Sequence, residues 1–116
     1  MIVVIATMHA REGKNAKLKD ILMALVVESR LEKGCVTYDL LECPDDPRRL
    51  ALYEVWENDT VLNAHLRSKH ISVAYEFAEE LNEVPPEVIS YKIVEPNRSA
   101  HSSGPTRRLE PTDPQP

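Results

Sequence analysis

Apolar and polar positions along this chain alternate with two different periods, and the switches between them delimit six elements. Ile2 to Met8 is a β-branched apolar run closed by Arg11-Glu12-Gly13, which predicts a strand buried on both faces. From Asn15, a candidate N-cap, Leu18, Ile21, Leu22 and Leu25 recur at helical spacing, and Lys33-Gly34 supplies a cation and a C′-type glycine to stop the helix. Cys35 to Glu42 sets Val36, Tyr38 and Leu40 against Thr37, Asp39 and Leu41, the period of a strand. Pro44-Asp45-Asp46-Pro47 reads as a turn, and Leu50 to Trp56 as the returning arm of an antiparallel hairpin. Asn58-Asp59 can cap a short helical piece carrying Val61, Leu62, Ala64, His65 and Leu66. A second stripe, Val73, Ala74, Phe77, Ala78 and Leu81, follows after a bend at Ser68. Pro85-Pro86 ends this helix, and Val88 to Val94 alternates as a last strand.

The order β-α-β-β-α-β predicts an α+β, ferredoxin-like fold with two helices on one face of a four-stranded antiparallel sheet. The strand from Leu50 to Trp56 is apolar on both sides, with Leu50, Leu52 and Trp56 on one and Ala51, Tyr53 and Val55 on the other. The face without helices therefore needs cover, and a homodimer formed sheet against sheet supplies it. The folding unit is expected over residues 1–95. Residues 96–116 hold five of the nine prolines and three serines with few large apolar groups, so they are expected to stay disordered or to form an arm crossing onto the dimer partner, with His101 solvated.

Composition removes several function classes. A net charge of −5 over 116 residues argues against a nucleic-acid partner, because a phosphate-binding surface needs a basic excess. The N-terminal run lacks a basic n-region and a cleavage site, and no apolar stretch reaches the roughly 20 residues of a membrane span, so a soluble, cytoplasmic protein without membrane contact is expected. Cys35 and Cys43 lie at opposite ends of one strand, about 25 Å apart if it is extended, which disfavours a disulfide and a structural zinc site. The three glycines are isolated and no CxxC or nucleophile motif is present, so neither a nucleotide nor a flavin is suggested.

The chemistry that remains is concentrated between Leu52 and His70. Glu54 alternates in phase with Leu52 and Trp56, so a carboxylate shares a face with apolar groups and needs a hydrogen-bond partner. The partner is either a pocket group, which makes Glu54 a site residue, or a structural contact. Trp56, the only tryptophan, can stack on a flat substrate or simply fill core. His65 and His70 are five residues apart and diverge by roughly 140° on a straight helix, unlike the i, i+4 pair of a zinc-binding helix, so no metal is expected. They converge only if the helix breaks near Ser68. A neutral imidazole at either position suits proton abstraction near neutral pH. Tyr75, Tyr91 and His9 join the candidates only if the register turns them inward.

The segments Tyr53-Glu54-Val55-Trp56, Ala64-His65-Leu66 and His70, preceded by Arg11-Glu12-Gly13 and by Glu32-Lys33-Gly34-Cys35-Val36-Thr37-Tyr38, together resemble the antibiotic biosynthesis monooxygenase family and its small quinol monooxygenase-like members. The resemblance spans about residues 1–95 and implies a dimeric α+β barrel with a hydrophobic pocket between sheet and helices. It also implies oxidation of a small phenol or quinol by O2 without metal or prosthetic group. On the matching positions, Trp56, with Leu52, Tyr75 and Tyr91, would wall the pocket. His65 and His70 would be its imidazoles and Glu54 their polar neighbour. Relatives that degrade haem use a first-strand asparagine and a histidine; here those places hold Ile5-Ala6-Thr7 and Tyr75. The expected function is thus a cofactor-independent monooxygenase-like enzyme taking a small aromatic substrate and O2. The alternatives are a non-catalytic dimeric domain that binds or senses an aromatic or lipid-like ligand, a haem-degrading or signal-metabolite-processing relative, and action on a phosphorylated metabolite. Few inward basic residues are available for that last role.

Overall fold

A computed structural model describes residues 1–94 of the chain; the expectations for the tail and for His101 lie outside the described residues. The elements run β1 (Ile2–His9), α1 (Asn15–Arg30), β2 (Cys35–Cys43), β3 (Asp46–Trp56), α2 (Asp59–Leu66), α3 (Lys69–Glu76), α4 (Ala78–Leu81) and β4 (Glu87–Lys92). The four strands form one antiparallel sheet in the order β2-β3-β1-β4, the ferredoxin-like arrangement.

All helices pack on one face of the sheet. Val4, Ala6 and Met8 of β1 meet Leu50, Leu52 and Trp56 of β3 there, and Leu18, Leu22, Leu25 and Val26 of α1 close over them. The period of two therefore sends every second side chain of β1 the other way, toward an uncovered surface where Ile5 is 36% exposed. This corrects the expectation that β1 is buried on both faces. Ile5 lies between Tyr53 and Ile89, and Val3 between Val55 and Tyr91, so the uncovered face is apolar across three strands.

Several boundaries differ from expectation for local reasons. Helix α1 begins at Asn15, but its N-cap is Lys14 and no side chain among the described residues caps it. The hairpin strands extend further than their hydrophobic pattern, so Asp46 and Pro47 belong to β3 and Pro44-Asp45 alone make the turn. The last strand is Glu87–Lys92 rather than Val88–Val94. The bend at Ser68 is a full break: its extended backbone ends one helix while its hydroxyl accepts a hydrogen bond from Ile71 N–H, so Ser68 is the N-cap of α3. Asn58 caps α2 in the same way, accepting from Val61 N–H at 3.0 Å.

Gly34 fixes where α2 can lie. Its φ is +84°, a left-handed conformation that costs other residues energy, and a Cβ there would stand 2.6 Å from the Val61 side chain. The turn from α1 into β2 and the first turn of α2 thus touch directly. Glu32 sits in that turn, its N–H bonded to Ser29 O and its carbonyl accepting from Cys35 N–H.

Candidate active site

Three side chains rise from the sheet into the gap below the helices. Glu54 and Trp56 are two residues apart on β3 and share a face, so the indole Nε1–H donates to Glu54 Oε1 at 2.9 Å. Tyr38 on β2 is the cross-strand partner of Glu54, and its ring lies edge-on to Trp56 at 6.0 Å between centroids. All three are buried, Trp56 completely.

His65 comes down from α2 onto this group. Its ring lies 4.5 Å from that of Trp56 and it is only 1% exposed. The two ring nitrogens have different surroundings. Nδ1 is 2.6 Å from Glu32 Oε2, while Nε2 faces the Tyr38 hydroxyl at 3.5 Å and Glu54 Oε1 at 3.9 Å. A carboxylate can only accept, so the Glu32 contact requires hydrogen on Nδ1 and leaves the lone pair of neutral His65 on Nε2, pointed at Tyr38 and Glu54.

His70 approaches the same carboxylate from the other side. Because the chain breaks at Ser68, α3 starts in a new direction and His70 Nε2 also lies 2.6 Å from Glu32 Oε2, with the two imidazole centroids 5.8 Å apart. The divergence expected on a straight helix is cancelled by the break, and with it the spacing argument against a shared site. Glu32 therefore joins two histidines that are 33 and 38 residues away in sequence.

Beside this cluster a cavity of about 660 Å³, counting its open mouth, runs between sheet and helices. Its walls are chiefly aliphatic, from β1, α1 and α3. Glu54, His65 and Tyr38 provide polar atoms at one end and Asn82 at the other. The Asn82 side chain donates to Ala78 O at 3.0 Å, but its Oδ1 is buried with no hydrogen-bond partner among the described residues.

Burial pushes the Glu54 carboxyl up to about 7, against the opposing pull of the Trp56 N–H and the Tyr38 hydroxyl. The same burial lowers the His65 imidazole, with Glu32 resisting, so His65 is neutral at physiological pH. Burial, reinforced by the nearby Glu54, raises the Tyr38 phenol, which keeps its proton.

Residues 1–77 match the antibiotic biosynthesis monooxygenase family. The chain belongs to that family. Among solved structures, PA3566 from Pseudomonas aeruginosa superposes with a TM-score of 0.76 at 29% identity, covering 81% of this chain and 94% of that one. Rv0793 from Mycobacterium tuberculosis gives 0.77 at 29% identity, covering 81% and 95%. The uncharacterised protein sll1783 of Synechocystis is 27% identical over 94 residues, 81% of this chain and 64% of that protein, so the chain spans less than two thirds of this relative's length.

The candidates named from sequence fall into three places in this antibiotic biosynthesis monooxygenase domain. Leu52, Glu54, His65 and Tyr75 line the cavity, Tyr75 on its helical side. Trp56 and His70 stand behind it: Trp56 anchors Glu54, and His70 faces Glu32. Tyr91 pairs with Val3 on the uncovered face of the sheet, because the register of β4 turns it away from the helices. His9 is also remote, placed between Asp46 and Glu83. Sequence reasoning gave no role to Glu32, Tyr38 or Asn82. Glu32 did carry a signal, since an acidic side chain just past the C-terminus of α1 opposes the helix dipole and needs a compensating reason. Among the described residues no helix is long and apolar enough to cross a membrane.

Proposed function

We propose that this domain is a monooxygenase-like enzyme that oxidises a small aromatic phenol or quinol with O2, using deprotonation of the substrate rather than a resident cofactor. The observation that carries this reading is the orientation of His65: Glu32 holds its Nδ1–H, and the Nε2 lone pair faces Tyr38 and Glu54, two residues that line the apolar cavity with it. A substrate hydroxyl placed against Nε2 transfers its proton there, and the aliphatic walls keep water from the resulting phenolate. The electron-rich anion gives one electron to O2, and the radical pair closes a carbon–oxygen bond at a ring carbon bearing hydrogen. Loss of water then leaves the quinone, with one oxygen atom in the product and the other in water. Glu54, titrating near neutrality 3.9 Å from Nε2, can relay the proton.

The apolar face bearing Ile5, Tyr53, Ile89 and Tyr91 supports a homodimer formed sheet against sheet. The two free cysteines fit a reducing, cytoplasmic compartment. Oxygen uptake by metal-stripped protein with a panel of hydroquinones and anthrones is the test. Turnover abolished by His65→Ala is expected; no uptake above buffer, or turnover only with added metal, rejects the reading. The chiefly aliphatic lining of the cavity also favours a second reading, a domain that binds an aromatic ligand without converting it. Wild-type protein that binds but never turns over selects that reading.

A further inference from the structure

Glu32 Oε2 receives His65 Nδ1 and His70 Nε2 at 2.6 Å each, so one oxygen gathers ring nitrogens from two helices. The three ligand atoms lie within 4.8 Å of one another. The geometry points to a binding site for one divalent first-row transition cation, of the Zn2+ type, at Glu32, His65 and His70.

Two imidazoles and a carboxylate are a donor set that such ions take, with further positions left for water. Bonds of about 2.0–2.1 Å to the ion would place the donors roughly 3.3 Å apart, so the two 2.6 Å contacts of Glu32 must open by less than about 1 Å while the two ring nitrogens, within 4.8 Å of each other, settle at the same spacing. The two side chains that would move have room to do so: Glu32 is 17% and His70 22% exposed, whereas the third, His65, is fixed in the core. A second, separate observation is the support behind His65. Ligating histidines as a rule present their other ring nitrogen to a carboxylate or similar acceptor, which orients the ring. Here Nε2 faces Tyr38 Oη at 3.5 Å and Glu54 Oε1 at 3.9 Å, and Glu54 is itself held by the Trp56 N–H. Hard ions such as Mg2+ and Ca2+ prefer all-oxygen sites and are poor occupants.

Occupation has a consequence for the cavity, and this part rests on the proposed role of His65 as base. An ion on Nδ1 takes the place of the hydrogen there, which moves to Nε2; the nitrogen facing the cavity then donates instead of accepting. The same exchange on His70 carries its hydrogen from Nε2 to Nδ1, so neither neutral ring loses a proton. With Nε2 no longer able to take up a substrate proton, the bound ion suppresses turnover.

The test titrates the metal-stripped full chain with Co2+, reading visible d–d absorption, and then displaces Co2+ with Zn2+. One equivalent per chain is expected, with affinity at least about tenfold weaker in His70→Ala and in Glu32→Gln and unchanged in His9→Ala. Far-ultraviolet circular dichroism establishes that each variant is folded. Absence of a Co2+ spectrum in wild-type protein, or a spectrum and affinity that survive both substitutions, overturns the site. One equivalent of Zn2+ should also suppress oxygen uptake, and uptake undiminished with the site filled overturns the exchange of hydrogen at Nε2. If no phenol is turned over at all, the Co2+ titration still decides the site, so failure of the enzymatic reading and failure of the metal site are told apart.

Discussion

Replacing Glu54 by Gln should abolish a pH-dependent loss of stability that the wild-type fold carries. The carboxyl is 4% exposed, and burial moves it from the ordinary value near 4.5 to about 7. Between those limits the folded protein keeps a proton that the unfolded chain has released. The native state therefore binds more protons, and stability must fall as pH rises through the window, levelling off above about 7. At about 1.4 kcal/mol per pH unit the total is about 3 kcal/mol, a large share of a small domain's stability. His65 acts with the opposite sign, because burial lowers it: the unfolded chain takes up its proton first as pH drops below the ordinary imidazole value, so stability is lost toward acid. The wild-type curve is the sum of the two, and only the difference from Glu54→Gln isolates the carboxyl. The glutamine keeps an oxygen for the Trp56 N–H at 2.9 Å, so the packing of the site is preserved. Urea unfolding at a series of pH values from 4.5 to 8, with chelator present, measures both proteins. The stability difference should change by about 3 kcal/mol in favour of the variant toward alkaline pH, at constant m. Parallel curves would refute the assignment of a raised carboxyl at Glu54.

Gly34→Ala should cost about 1–3 kcal/mol, since it combines a φ of +84° with a methyl group 2.6 Å from Val61. Adding Val61→Ala should relieve only the steric part, and thermal unfolding that leaves Gly34→Ala unchanged would sink the packing argument. Glu32→Gln should reduce oxygen uptake by at least about tenfold in metal-free protein while the fold persists, because an amide can also donate to Nδ1 and release the tautomer that aims the lone pair at the cavity. Full activity would show that Glu32 does not position His65. Ile5→Asp with Tyr53→Asp places charge at the centre of the uncovered sheet face and should convert a dimer into a monomer of 13.2 kDa by light scattering. A wild-type mass already at that value would remove the dimer.

The strand period and the helix stripes were enough to call the element order. A four-stranded antiparallel sheet with helices on one side follows from it, because apolar faces with those periods have few ways to be buried together. Phase along β3 also grouped Leu52, Glu54 and Trp56 on one face, since alternation in a strand is a local property. Ser68 was legible as a bend, and convergence of His65 and His70 was conditional on it; the extended backbone at Ser68 meets that condition. What the chain could not disclose is which distant groups meet those residues. Glu32 reaches the histidines only because Gly34 lets the turn after α1 press against Val61 of α2. Tyr91 looked equivalent to the inward residues until the pairing with β1 chose its face, since a shift of one position reverses every side chain of a strand. Local periodicity thus determined the fold and the sharing of faces. The site, in which Glu32 joins histidines more than thirty positions away beside a cavity that exists only between packed layers, was decided by the tertiary structure.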